Sequence, residues 1–209
     1  MTHGPLGTFR GRIGNIVGST WKGKQVIRQR QTAIKAGFSE QQIQHQIKFS
    51  LVAKMLQPLT ELVKLSFSQD PARMTRNNKA FSLNYRRAIT GTYPDLRIDY
   101  NLVILGRGKL SGVAKVSCDS PSSGLVQLNW MNFGHSDIER DDDKMYLVYY
   151  CERLNHWGMQ VGIAERQFNF CSTHDPALSG ETLHIYIGFI SANGKQSSDS
   201  QYLGVVEVA

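Results

Sequence analysis

The sequence lacks any run of 18 or more apolar residues, so no helix long enough to cross a bilayer is expected. It has only three cysteines, Cys118, Cys151 and Cys171. An odd, small set cannot form a closed disulfide framework and fits a reducing compartment. The first residues, Met-Thr-His-Gly-Pro-Leu-Gly, carry no charged start followed by an apolar stretch. The expectation is therefore cytoplasmic synthesis without a signal peptide, and no membrane association. The final compartment is left open, a virion or extracellular assembly included. Neither G-x-S-x-G nor H-E-x-x-H occurs, which removes two common hydrolase signatures.

Acidic residues are scarce in one half only. Residues 1–100 hold 16 Lys and Arg against 5 Asp and Glu, a balance of +11, whereas residues 101–209 hold 8 against 12, a balance of −4. The net +7 is thus the sum of two unlike parts, which suits modules with different partners or modules that attract one another between copies.

What the chain does have is 41% hydrophobic residues in 209, enough for a core. Residues 1–38 read as a basic, glycine-punctuated extended arm. Within it, Gly18-Ser-Thr-Trp-Lys-Gly23-Lys24 fits the phosphate-loop spacing G-x-x-x-x-G-K. The next position should carry a magnesium-binding hydroxyl but is Gln25, and the residues after it read as strand where that loop needs a helix. A turn between short strands is the better reading. Taken as one strand, Thr20 to Gln31 puts Lys22, Lys24, Arg28 and Arg30 on one face, interrupted only by Val26, and Trp21 and Ile27 on the other. With Arg10 and Arg12 nearby, this is a candidate contact for a polyanion or for another subunit.

Residues 39–95 read as a helical region. Ser39-Glu-Gln-Gln42 fits a capping box, and Ile43, Ile47, Leu51 and Met55, with Val52 and Leu56, form one apolar stripe. Pro58 should end that helix. Leu59, Leu62, Val63 and Phe67 suggest a second helix, Asp70-Pro71 a turn, and Ala80 to Ile89 a third helix. From residue 96 the apolar period becomes two. Val126, Leu128 and Trp130 alternate with polar partners, Met145 to Tyr150 suits a strand buried on both faces, and Leu183 to Phe189 leads to the turn signal Asn193-Gly194. Seven or eight short strands in this span predict an immunoglobulin-like or fibronectin-III-like β-sandwich, making the chain mainly β with a helical region.

These stretches resemble an uncharacterised Bacteroidota family known only as a domain of unknown function. The resembling residues are Gly11-Arg-Ile-Gly14-Asn-Ile-Val-Gly18-Ser-Thr-Trp-Lys-Gly23, Gly91-Thr-Tyr-Pro94, Asp99-Tyr100, Asp143-Lys144, Gly180 to Phe189, Ser191-Ala-Asn-Gly194 and Tyr202-Leu-Gly204. The resemblance implies a Gly-rich basic start, helices and an Ig-like end. It implies no reaction and no site residues.

Two further clusters carry side chains of metal-binding type. Cys151, His156, Cys171 and His174 are of types that suit zinc, but their C-x4-H and C-x2-H spacings match no finger, and the plain reading is small strand residues and loop histidines. Asp137, Glu139, Asp141, Asp142 and Asp143 lack the glycine and spacing of a calcium loop and read as a solvated loop. The expectation is a non-enzymatic structural protein without cofactors, a homo-oligomer or assembly subunit, virion-like or filamentous. Its contacts would be Arg10, Arg12, Trp21, Lys22, Lys24, Arg28 and Arg30. The alternative is a nucleic-acid-associated protein using the same residues.

Overall fold

The computed structural model describes residues 9–21, 23–31, 37–67, 74–133 and 140–209. The chain divides into two compact units, Met1–Glu40 and Gln41–Ala209.

The first unit holds β1 (Gly11–Ile13), β2 (Ile16–Trp21) and β3 (Lys24–Gln29) in an antiparallel meander of that order. Ile13 pairs with Ile16 and Trp21 with Lys24, so each connection is two residues long. Gly14 and Gly23 have φ of +56° and +75°, a left-handed backbone that glycine adopts without strain. The span from Thr20 to Gln31 is therefore not one strand but the end of β2, a reversal at Gly23, and β3. Gly18 is buried under Phe9; a Cβ there would lie 2.6 Å from the Phe9 ring.

In the second unit, β6 (Ala114–Ser122), β7 (Leu125–Met131), β8 (Lys144–Cys151), β9 (His156–Glu165), β10 (Phe170–His174), β11 (Thr182–Ile190) and β12 (Gln201–Glu207) follow a hairpin of β4 (Ile89–Thr90) and β5 (Arg97–Ile98). They form a three-stranded sheet β10-β7-β6 and a four-stranded sheet β12-β11-β8-β9, all antiparallel. Seven strands in two such sheets make the fibronectin-III-like sandwich expected from the alternation. Its interior takes Val126, Leu128 and Trp130 from one sheet, and Met145, Leu147, Tyr149, Leu183, Ile185, Ile187 and Phe189 from the other.

Along β8 and β11 the opposite face of the four-stranded sheet is covered as well. Tyr146, Val148, Tyr186 and Ile190 meet Val52, Met55, Leu59 and Leu62 of the helical region, with Ala88, Val103 and Leu105. That is why Met145 to Tyr150 is apolar at every position: each residue has a dry layer to enter. The helices are α1 (Glu40–Leu56), α2 (Thr60–Ser66) and α3 (Arg76–Arg87). α1 stops two residues before Pro58, as a missing amide and ring clash require. Of its expected stripe only Val52 and Met55 are fully buried. α3 starts at a Thr75 cap, whose hydroxyl accepts from the Asn78 amide at 3.2 Å. The expected Asp70-Pro71 turn lies outside the described residues.

A charged pair is sunk in the sandwich. Arg166 is 2% exposed and pairs with Asp143, 1% exposed, at 3.3 Å. Its guanidinium also donates to the carbonyls of Ser111 and Gly112 and lies 4.1 Å from the centre of the Phe189 ring. Burial pushes the Asp143 carboxyl up from its ordinary range, against the opposing pull of the Arg140 amide and Arg166.

Candidate functional site

Directly opposed residues of an antiparallel pair share a face. Register therefore sorts the first sheet. Arg12 pairs with Val17 and Val17 with Arg28; Ser19 pairs with Val26; Trp21 pairs with Lys24. This face carries Arg12, Arg28, Lys24 and Trp21. The other carries Ile13 and Ile16 with Gln29, Ile27 beside Gly18, and Thr20 with Gln25. Trp21 thus sits with the cations, contrary to the expected opposite face. The reversal at Gly23 resets the alternation, so Trp21 and Lys24, three apart in sequence, point the same way. Arg10 precedes β1, and Arg30 extends the ladder by donating its amide to the Asn15 carbonyl at 2.7 Å. Lys22 lies outside the described residues.

Both faces meet solvent: Trp21 is 63% exposed, Ile13 60%, Ile27 52% and Ile16 41%. Gln25 is held inward, donating from Nε2 to the Phe9 carbonyl at 2.5 Å. No acidic residue occurs from Phe9 to Gln31, so nothing within the sheet neutralises Arg12, Lys24 and Arg28. The phosphate-loop spacing is spent on a hairpin, with Gly18 in β2, Gly23 in the reversal and Lys24 opening β3. No helix N-terminus stands there to meet a phosphate.

The residues considered for zinc are dispersed by role. Cys151 and Cys171 are buried in the sandwich interior, while His156 and His174 are exposed. Cys151 donates from Sγ to Glu181 Oε2 at 3.3 Å, and Glu181, 3% exposed, is also held by Arg153. Cys118 and Cys171 flank Leu128 on neighbouring strands. Burial pushes their thiols up to about 11 and about 12, so both stay protonated. Among the described residues no group of three or more His, Cys, Asp and Glu is placed to hold a metal ion. Of the acidic run, Asp143 is the buried partner of Arg166 and not a solvated loop residue, whereas Asp141 and Asp142 are exposed. Asp137 and Glu139 lie outside the described residues.

Sequence reasoning missed one constellation. Across the outer face of the four-stranded sheet run His184, Tyr150 and Trp157 in register, with Tyr186 and Tyr202 paired in the next row. Tyr100 stacks on Tyr150 at 4.4 Å between centroids. His184 joins Tyr202 Oη through Nδ1 at 2.8 Å and Glu152 Oε1 through Nε2 at 3.0 Å. Burial, then Asp99 and Glu152, push the Tyr202 phenol up, so it keeps its proton. A phenol held protonated is no nucleophile; the chain of contacts fastens β12 to β11 and to the end of β8. Residues 152, 184 and 202 become neighbours only through strand order, and no local spacing announces them.

The chain belongs to the DUF6266 family, a family of unknown function, whose model matches residues 8–204. No curated protein matches it. Among solved structures, the FN1–FN3 domains of chicken CNTN1 are similar at 9% identity and a TM-score of 0.40, over 49% of this chain and 34% of that one. A family 76 glycoside hydrolase from a bovine Bacteroides thetaiotaomicron strain is similar at 13% identity and a TM-score of 0.37, over 47% of this chain and 20% of that one. The fn3 domain of human contactin 1 is similar at 13% identity and a TM-score of 0.34, over 57% of this chain and 93% of that one. The matched part thus spans about a third and a fifth of the first two proteins.

Proposed function

We propose that the chain is a non-enzymatic structural protein that self-associates, its N-terminal sheet docking by the isoleucine face onto a second copy. The observation that carries this reading is the exposure of Ile13, Ile16 and Ile27 together on one side of the β1-β2-β3 meander. A sheet needs a second layer on its apolar face. Fully burying one such side chain is worth about 1.5–3 kcal/mol. Charge supports a second copy as the occupant, since the arm is cationic while residues 101–209 carry a net −4. A filament or virion-like shell is the kind of assembly this design serves.

Light scattering of nuclease-treated full-length protein at physiological salt tests the reading. The expected result is a discrete mass of several copies, lowered by the combined Ile13→Ser, Ile16→Ser and Ile27→Ser changes without loss of the circular dichroism of the sandwich. A wild-type monomer at high concentration, or an unchanged mass in the triple variant, overturns it.

A second reading has its own support, the gathering of Trp21 with Arg12, Lys24 and Arg28 on one face. Stacking on Trp21 with phosphates on the cations suits single-stranded nucleic acid. Neutralising about four to six phosphates gives a slope of roughly −4 to −5 against log salt on duplex DNA. Retention on an anionic polymer column that is unaltered by Lys22→Ala, Lys24→Ala, Arg28→Ala and Arg30→Ala together sinks this reading.

A further inference from the structure

The outer strands of the sheets are not equally protected. An open edge offers unpaired amides and carbonyls to any passing strand, and proteins blunt it with charge, proline, bulges or shortness. β10 is only five residues long and β1 three. β6 carries Lys115, Asp119 and Pro121 and two breaks in register. β12 has a register break opposite Ile185 and Tyr186 and ends in Glu207. β3 carries Lys24 and Arg28.

β9 has none of these defences over most of its length. It is ten residues long, and from Trp157 to Ala164 it contains no charged residue and no proline. Its pairing with β8 is regular from His156 to Val161, the break coming only beyond Val161. Trp157, Met159 and Val161 alternate onto the outer face, opposite Tyr150, Val148 and Tyr146. Met159 and Val161 remain 38% and 46% exposed there. On the inner face Gln160 is tied down, donating to Thr173 Oγ1 at 2.7 Å. Among the described residues no strand pairs with the outer side of β9.

We propose that β9 pairs antiparallel with β9 of a second copy about a twofold axis, joining two four-stranded sheets into one of eight. The occupant follows from the strand's own chemistry. An isologous pairing sets a segment against itself reversed. For β9 that opposes no like charges along Trp157 to Ala164, and it brings the His156 end of each copy toward the Glu165 end of the other. The same operation on β3 would crowd Lys24 and Arg28 against their counterparts. The apolar stripe of Trp157, Met159 and Val161 continues across the axis, while backbone hydrogen bonds supply the ladder. This contact is independent of the arm and goes beyond the docking proposed for it.

The test uses full-length protein. Met159→Lys with Val161→Lys places charge on two already exposed positions of the edge. The expected result is that the light-scattering mass falls at least twofold with the melting curve retained, while the triple isoleucine-to-serine arm variant keeps a dimer. A geometric readout comes from Met159→Cys, Gln160→Cys and Val161→Cys made singly. At least one, the residue nearest the axis, should give an oxidation-dependent dimer on a non-reducing gel where wild type gives none. An unchanged mass in the lysine variant, or no cross-link at any of the three positions, overturns the proposal.

Discussion

The two sheets at opposite ends of the chain are built alike and covered differently. β3 in the arm is exposed at five of its six positions, whereas β8 in the sandwich is buried at seven of its eight. Both are antiparallel. What separates them is the number of apolar layers they meet. β8 has the second sheet on one side and the helices on the other, so the sequence Met145 to Cys151 is apolar on both faces. β3 alternates cations with Val26 on one face, places Ile27 between glutamines on the other, and is exposed along nearly all of its length.

The widest split between the regions is expected at alkaline pH. Burial holds the Cys118 and Cys171 thiols up to about 11 and about 12, and raises the phenols of Tyr100, Tyr146, Tyr149, Tyr186 and Tyr202. In the unfolded chain these groups ionise at their ordinary values, near 8.5 for thiols and near 10 for phenols, to within about a unit. Raised folded values mean that their contribution is complete below about pH 8.5 and is lost as pH climbs toward the raised values. Residues 1–40 contain no Tyr or Cys and contribute nothing to this loss. Melting followed by circular dichroism from pH 7 to 11, with phenolate absorbance alongside, should show the midpoint falling steeply above about pH 9. A flat midpoint to pH 11 contradicts it.

Truncating one large aromatic in each region comes next. Tyr186→Ala should cost about 3–5 kcal/mol in urea unfolding, because a fully buried ring between sheet and helices is removed. Trp21→Ala should stay within about 0.5 kcal/mol at micromolar protein. Equal costs would mean that the arm is already covered. Arginines divide the same way. Arg166→Met strands Asp143 without its partner and should cost about 3 kcal/mol, much of it regained with Asp143→Leu in the same chain. Arg28→Met should be nearly silent. At the small end the arm becomes the sensitive region. Gly23→Ala forces a Cβ onto φ of +75° and should weaken the β2-β3 hairpin by about 1 kcal/mol, read as faster proteolysis between Trp21 and Lys24 with an unchanged melt of the sandwich.

Much of the fold was legible because local pattern and burial agree in the sandwich. The alternation of Val126, Leu128 and Trp130 is the alternation of the core, and the turn at Asn193-Gly194 is made, Gly194 taking φ of +68° and donating to the Ser191 carbonyl at 2.7 Å. The placement of Trp21 was not legible, because a single glycine reversal changes which residues share a face. Nor was the pairing of Asp143 with Arg166, 23 residues apart in an acidic stretch that reads as solvated. The Tyr202–His184–Glu152 chain was out of reach for a similar reason. Tyr202 and His184 come from β12 and β11 and Glu152 follows the last residue of β8, so their adjacency is a property of the order β12-β11-β8.

The helices and the sheet they cover lie far apart along the chain. Leu62 waits for Tyr186 and Ile190, roughly 120–130 residues downstream. Ser66 is bonded to Ser197 across a similar distance, the Ser197 hydroxyl donating to the Ser66 carbonyl at 2.6 Å. At ribosomal speeds of about 5–20 residues per second, the apolar side of α1 and α2 stands uncovered on the nascent chain for on the order of 10 s. Through that interval the nascent chain shows water an apolar surface that the finished protein no longer exposes.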